Sequence, residues 1–349
     1  MNDKPIIPSS GKGDDGLRDY IVEEFIEDYQ DGRITRRQAL KQIALILGSV
    51  TLANGILAAC APAVTPSPTS IATAAATAAP TVAPTATAIA AAAATATLTT
   101  AATLSVQAPA SGVSVSADDP AIEAIGIVKF ASGVDTVSAY VAKPKGNGTF
   151  PVVLVCHENR GLVEHIKDVT RRIAKAGYVG VAVDLLSRQG GTDQVGANAP
   201  GVLGTLPPQQ FVDDFRAALT WAQSQPYARK GKAGMVGFCF GGGVAWRCAT
   251  QMQELGAAVP FYGANPPLED VPKIQAAVLG IYGELDTRID AGIPAIEAAM
   301  KQNDKTFEKI VYPKASHAFN NDTGGNYNPD AAKDAWAKTL AWFGKYLGS

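Results

Sequence analysis

The chain has 349 residues, 47% of them hydrophobic and 18% charged, with a formal net charge of −2. That length suits one large α/β domain with appendages, and the near-neutral charge gives no basis for general nucleic-acid binding. Four cysteines, Cys60, Cys156, Cys239 and Cys248, show neither C-x-x-C nor zinc-site spacing, and three histidines leave few candidate bases.

Residues 1–34 are polar, with an acidic run at Glu23-Glu24-Phe25-Ile26-Glu27-Asp28. Ile21, Phe25 and Tyr29 recur every fourth residue, which predicts a short amphipathic helix. Thr35-Arg36-Arg37-Gln38-Ala39-Leu40-Lys41 follows, then an apolar stretch from Ile43 to Ala59 that closes as Leu57-Ala58-Ala59-Cys60. A basic segment, an apolar segment and a small-residue cleavage site predict an export signal over residues 1–60. The paired arginines resemble a twin-arginine signal. Leu-Ala-Ala-Cys resembles a lipobox, which implies a lipid on Cys60 and an extracytoplasmic, membrane-anchored protein. The alternative is an uncleaved membrane helix. Residues 61–116 are almost wholly Ala, Thr, Pro, Ser and Val; with little to bury, they predict a disordered tether.

From residue 117 to 349 the composition is that of a folded domain. Ile125–Phe130 and Val137–Lys143 predict an antiparallel strand pair, and Pro151–Cys156 a strand buried on both faces. The apolar face of Ile166, Val169, Ile173 and Ala176 predicts a helix that Gly177 ends. Tyr178–Asp184 is the next strand, and residues 185–207 read as a long Gly-rich loop. Strands then alternate with helices to the end of the chain, which implies a mostly parallel sheet with helices on both faces. Its functional loops belong at the carboxyl ends of the strands.

Gly237-Phe238-Cys239-Phe240-Gly241 joins a strand to a helix and is a G-x-C-x-G form of the nucleophile elbow. The tight turn pushes the sulfur out at the sheet edge over a helix N-terminus, which favours a thiolate. It also offers the Phe240 N–H to an oxyanion. Asp286 and His317 each follow a later strand, so the order is nucleophile, acid, histidine. His317 would take the thiol proton and Asp286 would fix the imidazole tautomer. Taken singly, His317 could be a surface histidine and Asp286 a turn residue beside Arg288. Glu158 ends the first buried strand, where its carboxylate can accept the Cys239 proton; the alternative is a loop glutamate paired with Arg160. The Asn159 N–H is placed to join that of Phe240 in an oxyanion hole. His157 can line the site, while Cys156 and Cys248 read as small core residues.

The pattern Glu158-Asn-Arg-Gly-Leu162, Ile166-x-Asp168, Arg171-Arg172-x-Ala174, Gly177-Tyr178 and Asp184-Leu185, joined to Gly237-Phe-Cys-Phe-Gly-Gly242, Asp286 and Ser316-His317-x-Phe319, resembles the dienelactone hydrolase family over residues 125–345. The resemblance implies an α/β-hydrolase fold, no cofactor, and ester or lactone hydrolysis through an acyl-enzyme on Cys239. It implies a triad completed by Asp286 and His317, and Glu158 as the gate on thiolate formation. The family's founding members carry an arginine for the substrate carboxylate shortly after the histidine. Here that stretch is Asn320-Asn321-Asp322, and Arg160 and Arg188 are the nearby candidates. Two other functions are open: a catalytically silent binding domain displayed at the surface, and a redox protein using Cys239, though no resolving cysteine lies close to it.

Overall fold

A computed structural model describes residues 16–30, 34–59 and 114–348. Cys60, the predicted lipid site, and residues 61–113 of the predicted tether lie outside these. Eight strands form one sheet: Ile122–Ser132 (β1), Asp135–Pro144 (β2), Val152–Cys156 (β3), Val179–Val183 (β4), Ala233–Phe238 (β5), Leu255–Phe261 (β6), Ala277–Gly283 (β7) and Phe307–Tyr312 (β8). Their spatial order is β1-β2-β4-β3-β5-β6-β7-β8. β1–β2 and β2–β4 are antiparallel, and every other pairing is parallel. Every residue of β3, β4, β5 and β7 is buried, which is why these strands read as unbroken apolar runs rather than alternating ones.

The helices are Gly16–Gln30 (α1), Arg36–Leu47 (α2), Val50–Ala59 (α3), Glu164–Lys175 (α4), Thr192–Val195 (α5), Ala199–Leu203 (α6), Pro208–Gln223 (α7), Phe240–Gln251 (α8), Thr287–Asp290 (α9), Ile293–Gln302 (α10) and Pro329–Leu347 (α11). From β3 the chain winds through α4 to β4 on one side. It then returns through α7 to β5 on the other side of β3. The winding reverses between β3 and β5, so their carboxyl ends part there and leave a crevice, where ligands bind in open α/β sheets.

Three sequence expectations change. The apolar stretch Ile43–Ala59 is not one helix: Gly48, in the left-handed region at φ 65°, ends α2 before α3 begins. No helix among the described residues is long and apolar enough to cross a membrane. The 185–207 segment is not an open loop but holds α5, α6 and two short 3-10 turns. Asp184 organises it by accepting from the backbone N–H of Leu186 (3.1 Å) and Thr192 (2.9 Å) and from the Thr192 hydroxyl (2.8 Å). Residues 114–116, assigned to the tether from sequence, are among the described residues. Val115 is buried, its N–H donates to Asp168 (2.6 Å), and its carbonyl accepts from Arg171 Nε (2.5 Å).

Candidate active site

The crevice between β3 and β5 gathers the predicted residues. Cys239 follows β5 at φ 58°, a left-handed conformation unusual for any side chain but glycine, and α8 starts on the next residue. The turn is tight enough to dictate its flanks. A β-carbon on Gly237 would stand 1.9 Å from the Gly241 carbonyl oxygen, and one on Gly241 would stand 2.4 Å from the His157 carbonyl oxygen. Both neighbours are backbone, so no rotamer relieves the clash. Phe240 is the first residue of α8, so its N–H belongs to the helix's unpaired first turn.

Asp286 follows β7 and caps α9, accepting from the Ile289 N–H (3.4 Å) through Oδ1. Its Oδ2 lies 2.5 Å from His317 Nδ1. This contact leaves Nε2 of His317 to face the nucleophile. The Asn326 side chain holds the His317 carbonyl (2.9 Å), and the Tyr262 ring lies 5.0 Å from the imidazole. Glu158 is buried after β3. Its Oε2 accepts from Asn321 Nδ2 (2.7 Å), and its Oε1 has no hydrogen-bond partner among the described residues. The alternative pairing of Glu158 with Arg160 is not made among the described residues: Arg160 is exposed. Asn321, in the stretch where the family's founding members carry an arginine, is what fixes Glu158.

The thiol does not rest against Glu158. Sequence reasoning missed the residues that hold it, because they come from α1. The Tyr20 hydroxyl lies 3.1 Å from Cys239 Sγ and 3.2 Å from His317 Nε2. The thiol donates to Glu24 Oε1 (3.6 Å), and that oxygen also accepts from Asn159 Nδ2 (2.8 Å). Arg288 donates to Glu27 (3.2 Å) and stacks its guanidinium 4.6 Å above the Tyr20 ring. The Ile21–Phe25–Tyr29 spacing announced this helix, but nothing in it says where Tyr20 and Glu24 point.

These surroundings set the protonation states. Burial, then the Glu24 carboxylate, push the Cys239 thiol up, against the pull of His317. Burial opposes the charging of His317, yet Cys239 and the Asp286 carboxylate outweigh it and raise its pKa. Burial also raises Glu24 and Tyr20. With α1 in place, burial and the Glu24 carboxylate favour the thiol over the thiolate at Cys239.

The remaining candidates lie elsewhere. His157 is fully buried, donating through Nδ1 to the Glu158 carbonyl (2.6 Å) and accepting the Leu185 N–H (3.3 Å) at Nε2. Burial lowers its pKa, so it is a neutral strut under the loop. Arg188 is committed to Asp135 and the buried Asp214, both at 2.6 Å. His165 and Arg172 both bind Asp322, at 3.0 and 2.6 Å; burial works to raise that carboxyl, but the two hold it down to about 2. This network anchors the loop after His317. The donor atoms of Glu24, Cys239 and His317 lie within 4.8 Å of one another and are of the types zinc takes. A metal there would consume the nucleophile and its base.

Known proteins resemble this chain. The family described as "Dienelactone hydrolase family" covers residues 137–347. A "Putative carboxymethylenebutenolidase" of Methylorubrum extorquens is 34% identical over 257 residues, spanning 70% of this chain and 88% of that protein. The protein of the same name from Salmonella typhimurium is also 34% identical, spanning 69% of this chain and 94% of its own. The crystal structure titled "Putative Dienelactone Hydrolase from Klebsiella pneumoniae" is 33% identical with a TM-score of 0.61, over 65% of this chain and all of that one. With its α/β-hydrolase sheet, its elbow and these relatives, the chain belongs to the dienelactone hydrolase family, a family of hydrolases.

Proposed function

We propose that the protein hydrolyses a lactone or small carboxylic ester through a thioester on Cys239. The observation that carries this is the line Asp286–His317–Cys239 at the elbow, with 2.5 Å between the first two and the thiol within 4.8 Å of an imidazole nitrogen. His317 Nε2 takes the thiol proton as sulfur attacks the ester carbonyl. Asp286 holds the tautomer and stabilises the imidazolium. The Phe240 and Asn159 N–H groups face the oxyanion. The tetrahedral adduct expels the alkoxide, to which His317 returns the proton. Water, deprotonated by His317, then opens the thioester to give the acid and restore the thiol. Glu158 is a second destination for the thiol proton.

Full-length protein whose α1 has been displaced by Ile21→Asp, mixed with a short acyl ester and quenched in acid, is expected to carry the acyl mass on the peptide containing Cys239. Cys239→Ala protein is expected to carry none. Acylation absent from this protein would end the proposal.

We further propose export by the twin-arginine route and lipid attachment at Cys60. Arg36 and Arg37 stand exposed at the start of α2, behind a capping box between Thr35 and Gln38, which supports a readable signal. Replacing both arginines with lysine is expected to keep the precursor in the cytoplasm. A mature N-terminus free of acyl chains would refute the lipid.

A further inference from the structure

We propose that α1 is a built-in inhibitor: it docks across the crevice, silences Cys239, and must leave before substrate can enter. This rests on Cys239 being the nucleophile proposed above.

α1 occupies the atoms that a substrate needs. Tyr20 places one hydroxyl against both sulfur and Nε2, at 3.1 and 3.2 Å, so it stands on the path between nucleophile and base. Glu24 takes the thiol's proton-donating direction and the side chain of Asn159. Cys239 is left 3% exposed. The block is also electrostatic, because a carboxylate 3.6 Å from sulfur disfavours the thiolate. A lid that closed over substrate would leave room for a carbonyl at sulfur; here Tyr20 fills that place.

The docking is built rather than incidental. Leu17, Tyr20, Ile21, Val22, Phe25 and Ile26 are buried, and α1 packs against α8 and α2. Glu27 and the Tyr20 ring engage Arg288, which follows Asp286 closely in the chain. The groove at the mouth of the site therefore fits an acidic amphipathic helix bearing tyrosine and glutamate one turn apart. The chain supplies one.

The occupant is held in cis. α1 through α3 precede residues 60–113, and the catalytic unit resumes at residue 114. A cut anywhere between residues 59 and 114 turns an intramolecular contact into a bimolecular one, and dilution then frees the site. On the export proposal, processing before Cys60 is such a cut, so the enzyme would be latent until it is processed.

The test uses the full chain. Ile21→Asp places a charge where α1 is buried, away from the reacting atoms. It is expected to speed alkylation of Cys239 by iodoacetamide, read by peptide mass, by about tenfold or more, as a shifted docking equilibrium requires. Ester kcat/KM is expected to rise in parallel. A synthetic peptide of residues 16–30 is expected to reverse both effects in competition with substrate. The same peptide with Tyr20→Ala and Glu24→Ala is expected to do nothing. As a control independent of any change in α1, a site-specific protease sequence inserted between residues 60 and 113, cut and diluted, is expected to give the same rise. Unchanged alkylation in both would overturn the proposal. So would faster alkylation with slower hydrolysis, which would make α1 part of the catalytic apparatus. Faster alkylation with no hydrolysis in any form would support the inhibitor and sink the hydrolase instead.

Discussion

Cys239→Ala and His317→Ala, each placed in the Ile21→Asp background, are expected to lower kcat/KM for a short ester by about a thousandfold or more. Neither change disturbs the frame that carries it. Alanine at residue 239 keeps the elbow, whose shape is set by Gly237, Gly241 and the flanking strand and helix. Alanine at residue 317 keeps the loop, because the Asn326 side chain donates to the backbone carbonyl of residue 317 and Asp322 is anchored by His165 and Arg172. The two losses should not add, because nucleophile and base act in one step. The double variant is therefore expected to fall little below either single one. Losses under about tenfold, roughly 1.4 kcal/mol of barrier, would be too small for such a pair.

Glu158→Gln is expected to slow single-turnover acylation by about a hundredfold, the scale of a lost proton acceptor, with much less effect on substrate affinity. The substitution conserves shape and retains an oxygen for Asn321, so a purely structural glutamate would tolerate it. What it removes is a carboxylate charge that raises the Cys239 thiol and the acceptor at Oε1, the atom that finds no partner among the described residues. A pH profile separates the two roles. Glu158 is one of the negative neighbours that raise the Cys239 thiol. Its removal should therefore shift the rise of alkylation rate to lower pH even as acylation slows. An unchanged acylation rate would return Glu158 to a role in holding Asn321.

The sheet and the meeting of Cys239, Asp286 and His317 were legible because each has a local signature. Val152–Cys156 is an unbroken apolar run, and its burial on both faces is the cause. The elbow needs small residues at Gly237 and Gly241, so its spacing is written in the chain. Asp286 and His317 follow strands, and a parallel sheet brings the ends of its strands to one edge. What stayed hidden depends on partners far away in sequence. Tyr20 meets Cys239 across 219 residues, and no periodicity encodes such a contact. Arg188 looked available beside the site until the buried Asp214 claimed it. The segment after β4 lacked any apolar period, yet Asp184 folds it by accepting backbone and hydroxyl protons. Val115 lies in a stretch too poor in large side chains to predict order, and the side chains of α4 supply that order.

The left-handed turn at Cys239, held at φ 58°, separates two inheritances. A conformation of this kind costs on the order of 1–3 kcal/mol for a residue with a side chain. That cost is met by β5 and α8 on either side and not by the sulfur. Any small side chain at this perch would be presented in the same direction, beside the same helix amides. The architecture is therefore indifferent to the reactive atom, and selection can exchange the element at the tip without redrawing the scaffold beneath it.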